Sequence, residues 1–131
     1  MVIHKIAGII LENKRFLAVK EYGMDMLLTP GGKVEGTETP EETLRRELKE
    51  ELDVNLVSME PFGTFNDKTH DNKEDLVLET YFAKVDGDFI PTSEIEKLFW
   101  VNSNFTDEEV SLSIPMKKYI IPKLLEMKLI E

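Results

Sequence analysis

The segment from Gly32 to Val54 constrains this chain more than any other. Within it, Thr39-Pro40-Glu41-Glu42 reads as a helix start. Threonine serves as the N-cap, proline as the first helical residue, and Glu42 as the third, which makes a capping box. The helix is expected to run to about Leu52. Leu44, Leu48 and Leu52 recur every four residues and form one apolar stripe. At roughly 100° per residue the leucines cover about 0–80°, with Glu51, Glu47 and Glu50 near −20°, −60° and −120°. The carboxylates thus border the buried stripe instead of opposing it. Like charges on adjacent turns repel, and more strongly in the lower dielectric near a core. A cation is expected to offset them. Arg46, four residues before Glu50, is one candidate, but a single guanidinium cannot neutralise three carboxylates. Oxygen ligands at this density suit a hard divalent ion, Mg²⁺ or Mn²⁺. The competing reading is a solvated helix face whose acids pair with Arg45, Arg46 and Lys49. The helix alone favours the solvated face; the loop that precedes it changes that balance.

Composition narrows the chemistry. The chain has 131 residues, with 26 acidic and 16 basic side chains, a net charge of −10 and no cysteine. This length suits one domain over residues 1–131, with a single packed core. The missing cysteines exclude a disulfide scaffold, a zinc-thiolate site, an iron–sulfur cluster and a thiol nucleophile. The only histidines are His4 and His70, so HExxH and three-histidine zinc sites are excluded as well. The net charge argues against a nucleic-acid polymer as partner. It leaves room for a small phosphorylated ligand, because a bound divalent cation can invert the local sign. Residues 35–53 hold eight acids against three bases, so much of the excess is local. No apolar run approaches the roughly 20 residues of a membrane helix. Met1 to Lys5 lacks the features of a secretory signal. A cytoplasmic protein with no membrane partner is expected.

Strand signals surround the acidic helix. Ile3–Leu11 reads as a strand with Arg15–Lys20 as its hairpin partner, across Glu12-Asn13-Lys14. Met26–Thr29 reads as a short strand ended by Pro30-Gly31-Gly32. Val54–Phe65, Leu76–Val85 and Ile95–Val101 are further strands, and Asp86-Gly87 a turn. The polar residues 66–75 read as a loop. A second helix is expected near Ile114–Leu129, with Ser113 as its cap and Pro122 kinking or splitting it. The irregular alternation predicts a mixed sheet covered by helices, an α/β fold.

Gly32, then Glu38, then Arg46-Glu47-Leu48-Lys49-Glu50-Glu51-Leu52-Asp53-Val54 resembles the Nudix box. That box reads Gly, five residues, Glu, seven residues, Arg-Glu-apolar-x-Glu-Glu-x-Gly-apolar. Only Asp53 departs from it, at the final glycine. That position follows the helix, where a left-handed conformation is common and Asp is tolerated. The resemblance implies a Nudix-type α/β/α sandwich with a mixed β-sheet. It implies hydrolysis of a nucleoside diphosphate linked to another group, with Mg²⁺ (or Mn²⁺) as cofactor. Glu47, Glu50 and Glu51 would bind the metal, joined by the Gly31 carbonyl. Glu38 and Arg46 would brace the loop beside Gly32 against the helix. The general base would be Glu47 or Glu94, which lies six residues before Trp100, as in MutT-like enzymes; Glu96 is the local competitor for that role.

The substrate is read less sharply. Lys33 is a candidate phosphate contact. Phe62, Phe65, Tyr81 and Phe82 are candidates for base stacking or for the core. His70 stands where some ADP-ribose hydrolases of the family carry proline, and the Ser-Gln-Pro-Trp signature of NADH pyrophosphatases is missing. The leading class is a small-molecule nucleotide, a (deoxy)nucleoside triphosphate or an oxidised nucleotide. No purine-reading asparagine of the MutT kind is evident near the C-terminal helix. The alternatives are ADP-ribose or nucleotide-sugar hydrolysis, and a non-catalytic nucleotide-binding module. A calcium loop over Asp67–Glu79 lacks the glycine and spacing of an EF-hand. Many relatives are dimers, so a homodimer is compatible with the resemblance.

Overall fold

The structure is a computed structural model that describes residues 2–69, 71–92 and 94–131. Its strands are β1 (Val2–Ile9), β2 (Leu11–Glu12), β3 (Arg15–Glu21), β4 (Met26–Leu27), β5 (Gly31–Lys33), β6 (Asn55–Lys68), β7 (Asp75–Asp86), β8 (Ile95–Val101) and β9 (Ser111–Leu112). Helix α1 spans Pro40–Leu52, and the chain closes with a wide turn over Met116–Ile120 leading into α2 (Ile121–Glu126). A four-stranded sheet runs β5-β1-β7-β6. It is mixed: β1 and β7 are parallel, whereas β5 and β6 lie antiparallel on the two flanks. A second sheet runs β2-β3-β8, and β4 pairs with β9.

Two cores lie on opposite sides of these sheets. On one side, Leu44, Leu48 and Leu52 of α1 pack with Ile6, Leu17, Val19, Val54 and Ala83. On the other, Met116, Ile120 and Leu124 pack with Ile9, Phe16, Ala18, Phe62 and Val101. Strand β3 feeds both, Leu17 and Val19 to one and Phe16 and Ala18 to the other, because side chains alternate along a strand. Burying each leucine contributes roughly 1.5–3 kcal/mol. The observed α/β/α layering follows from this division. Among the described residues, no helix is long and apolar enough to cross a membrane.

Helix α1 forms within its expected bounds. Thr39 Oγ1 accepts from the Glu42 amide at 3.2 Å, and Glu42 Oε1 accepts from the Thr39 amide at 2.9 Å. The helix ends on Asp53 in the left-handed region (φ 55°), the residue that replaces glycine in the motif. The Lys49 carbonyl accepts from the Asp53 amide, and the Lys49 ammonium meets its carboxylate at 2.9 Å.

Three expectations are corrected. The first strand is not continuous from Ile3 to Leu11. β1 ends at Ile9 and pairs with β7 and β5, and only Leu11–Glu12 forms a hairpin with β3. The Ile10 carbonyl accepts from Leu17 at 3.0 Å as the chain crosses between sheets. Asn13 and Lys14 close that hairpin with positive φ, the tight primed turn that suits strand twist. The loop expected at 66–75 shrinks to 69–74, because β6 and β7 stay paired up to Lys68 and Asp75, whose side chains meet at 2.5 Å. The helix near the C-terminus starts at Ile114 as expected, and Ser113 caps it with its carbonyl, which accepts from the Lys117 amide at 3.1 Å, and not with its hydroxyl. Further on, the Met116 carbonyl accepts from Ile121, a widened turn. Pro122 has no N–H to continue an ordinary ladder there, and its ring crowds the preceding turn.

Candidate active site

The glycines of β5 bring the backbone against the acidic edge of α1. Gly31 has φ +146°, and a Cβ there would lie 2.0 Å from the Ile6 carbonyl oxygen. A Cβ on Gly32 would lie 2.5 Å from the Glu47 carboxylate. Only glycine permits this approach. The Gly31 amide donates to Glu51 Oε1 at 2.9 Å. Gly31 thus meets Glu51 through its N–H, a contact that the sequence does not announce.

Glu51 is only 5% exposed. Burial pushes its carboxyl up to about 8; the Gly31 amide opposes that rise, and Glu47, Glu21 and Glu94 add to it. Glu47 is also shifted upward, chiefly by burial, with Arg46 acting against the shift. These acids are short of positive charge, and a buried carboxylate without enough compensation costs free energy.

Arg46 joins the loop to the helix. Its Nε and Nη2 donate to the two oxygens of Glu38 at 2.7 and 2.9 Å, a bidentate pair. Its Nη1 donates to Glu47 at 2.7 Å, and Nη2 also reaches the Lys33 carbonyl at 3.1 Å. Glu38 accepts in addition from the Glu35 amide and from Thr43 Oγ1. These donors, Arg46 foremost, hold the Glu38 carboxyl down at about 2.

A cleft of about 280 Å³ gathers Glu47, Glu51, Glu94, Gly31, Gly32 and Lys33. Glu50 does not line it; its exposed carboxylate lies 3.5 Å from Arg46. Glu96, the competitor of Glu94, is turned away onto Lys20 at 2.9 Å. Among the lining residues that the sequence did not announce are Glu21 at the end of β3 and Lys5 in β1. No local pattern marks Glu21. Lys5 left a signal, as a charge between Ile3 and Ala7 in an apolar strand.

Among the described residues, no three acidic side chains converge tightly enough to cage an ion. Glu47 is held by Arg46 and Glu51 by Gly31. The donor chemistry nonetheless fits a hard cation: the cleft offers carboxylate oxygens, no cysteine, and a glycine cradle beside them.

A second cavity of about 300 Å³ shares Lys5, Leu28, Thr29, Gly31, Gly32 and Lys33 with the lining of the cleft. Ile3, Leu76, Leu78, Ile114 and Pro115 form its apolar wall, and Lys68 and Glu74 stand among its polar residues. Phe62, Phe65, Tyr81 and Phe82 line neither cavity. Phe62 meets Phe82 edge-on with ring centres 5.1 Å apart, Phe65 stacks on Tyr119 at 4.6 Å, and the Tyr81 hydroxyl donates to Glu79. Their packing places them in the structural half of the earlier alternatives. Three of the five acids of Asp67–Glu79 are engaged in separate pairs, Asp67 with Lys118, Asp75 with Lys68, and Glu79 with His4. His70 lies outside the described residues.

A family model described as the NUDIX domain matches residues 2–116. A MutT NUDIX hydrolase from Burkholderia pseudomallei has a TM-score of 0.73 at 22% identity, over 96% of this chain and 97% of that one. A MutT structure from work on Aliivibrio salmonicida and Vibrio cholerae has a TM-score of 0.73 at 21% identity, over 97% and 99% of the two chains. A UDP-X diphosphatase has a TM-score of 0.70 at 20% identity, over 97% of this chain and 62% of that one. At these identities the likeness is one of fold. No curated protein matches the chain in sequence.

Proposed function

The chain belongs to the Nudix family of pyrophosphohydrolases, and we propose that it hydrolyses a phosphoanhydride of a (deoxy)nucleoside triphosphate or an oxidised nucleotide. Members of the family generally use divalent metals and act on small-molecule nucleotides. The observation that carries the reading is the buried Glu51, tied to the Gly31 amide and sharing one cleft with Glu47 and Glu94.

In this reading Glu47, Glu50 and Glu51, with the Gly31 carbonyl, would hold Mg²⁺ or Mn²⁺. Bound there, the cation supplies charge for the phosphate oxygens and acidifies a water. Glu94 or Glu47 accepts the proton as water attacks phosphorus. Arg46 holds Glu47 and the Glu38 loop in one frame. Lys33 contacts a phosphate, and the aliphatic cavity takes the organic group. A homodimer, the state of many relatives, remains compatible with this chemistry.

The resemblance in fold to a UDP-X diphosphatase favours a second reading, hydrolysis of a nucleotide sugar or ADP-ribose. A substrate panel with Mg²⁺, Mn²⁺ or EDTA, with products separated by chromatography, tests both. Metal-dependent release of a mononucleotide and pyrophosphate from triphosphates supports the first. Turnover confined to ADP-ribose or sugar nucleotides supports the second. Binding without turnover across the panel identifies a non-catalytic module. Hydrolysis in ¹⁸O water reports which phosphorus is attacked.

A further inference from the structure

Strand β1 lies inside its sheet, between β5 and β7. By alternation Ile3, Lys5 and Ala7 share one face, beside Leu76 and Leu78 of β7. The middle position of such a row is ordinarily apolar. Here it is a half-buried lysine. Directly opposite Lys5 across the β1–β5 ladder stands Lys33. Like charges in direct cross-strand register destabilise a sheet. Among the described residues, no hydrogen bond or ion pair engages either ammonium; Lys5 feels Glu21 only at longer range. Both lysines line the carboxylate cleft and the aliphatic cavity, so they stand where the two meet.

We propose that Lys5 and Lys33 form a phosphate clamp at this junction, with Lys5 holding the phosphate nearest the organic group of the substrate. The inference rests on the reading above and extends it to a residue outside the motif. An anion between the two ammoniums removes their repulsion and pairs two cations that, among the described residues, have no hydrogen bond or ion pair. Lysine suits this position because its ammonium is a point charge that accepts phosphate oxygens in several orientations. Glu47, Glu51 and Glu94 line only the cleft, the two lysines line both cavities, and Ile3, Leu76 and Leu78 line only the second. A polyphosphate with one organic substituent has that same division of charge and apolar surface.

The test is equilibrium binding in EDTA, where metal and turnover are both absent. The probes are the nucleoside diphosphates ADP, GDP, CDP and UDP, beside the uncharged nucleosides. Lys5→Met keeps the apolar stem and removes the charge, and its thermal midpoint shows that it folds. At least one diphosphate is expected to bind the wild type, and Lys5→Met to weaken it about tenfold. Lys5→Arg is expected to restore most of the affinity. The salt dependence of binding is expected to flatten in Lys5→Met, and nucleoside affinity to stay unchanged. Wild-type affinity in Lys5→Met, an equal loss for nucleosides, or a wild type that holds no diphosphate each overturns the clamp. Lys5-dependent diphosphate binding in a protein that hydrolyses nothing in the substrate panel leaves the clamp standing and removes the hydrolytic reading.

Discussion

The two helices that cover the sheets are built in different ways. Helix α1 has a full capping box at Thr39 and a left-handed stop at Asp53. The C-terminal helical segment begins without a side-chain cap and passes through a widened turn before Pro122. Both bury apolar rows, Leu44, Leu48 and Leu52 in one, Met116, Ile120 and Leu124 in the other. Only α1 also carries charged groups to the cleft. A helix whose single task is burial can bend and slip at its ends, because burial depends on area and little on direction. A helix that aims carboxylates must hold its register, since a small rotation moves every ligand. Its caps, together with the Arg46–Glu38 pair, provide that restraint.

This contrast can be broken at several points. The largest effect is expected from Glu51→Gln, which should lower metal-dependent turnover by about 10²–10⁴-fold while leaving the unfolding midpoint close to wild type. In the same variant Mg²⁺ should no longer raise that midpoint, as it does for a protein that binds the ion only when folded. Near-wild-type turnover at saturating Mg²⁺ would remove Glu51 from the site.

Leu48→Ala and Leu124→Ala compare the two helices directly. Each should lower stability by about 2–5 kcal/mol in denaturant titration. Leu48→Ala should also weaken Mg²⁺ binding, because it loosens the turn that carries Glu47 and Glu51. Leu124→Ala should leave Mg²⁺ binding unchanged. Equal losses of metal affinity would show that both helices, and not α1 alone, set the geometry of the cleft.

Gly32→Ala places a methyl group against the end of the Glu47 side chain. That flexible end can move, so stability should change little. Activity should fall by roughly tenfold to a hundredfold as Glu47 is displaced. Loss of folding in this variant would mean that the tight approach belongs to the backbone and not to the carboxylate.

The smallest expected effect separates the helix starts. Thr39→Ala should cost about 1 kcal/mol, and Ser113→Ala should stay within about 0.5 kcal/mol, because only Thr39 caps with its side chain. Equal costs would show that the capping contrast carries no energy.

How far the chain could be read before folding follows from the range of each signal. The start, end and face of α1 were legible because caps, proline and leucine spacing act over a few residues. That Glu38 and Arg46 brace the loop and the helix was implied by the motif; that they do so by pairing with each other emerged from the fold. The break at Ile10 was not, because both pieces are apolar strand and only pairing with β7 and β3 separates them. The widened turn at Met116–Ile120 was foreshadowed by Pro122, but the sequence suggested a kink or a split without saying which carbonyl would be left to accept. The four aromatic candidates carry no local mark of their direction, so only the packed sheets show that they miss the cavities.

The sequence by itself determined the acidic helix, the glycines that precede it and the family that this pattern belongs to. These depend on spacing along one stretch of chain and on the few residues that can cap a helix or omit a side chain. The tertiary structure alone decided that Glu21 shares the cleft with Glu47, Glu51 and Glu94, that Glu50 stands outside its lining, and that Lys5 faces Lys33 beside an aliphatic cavity. Those placements depend on strand register across long separations. A shift of one residue there turns a side chain to the other face of the sheet, and no neighbouring residue records which register the fold adopts.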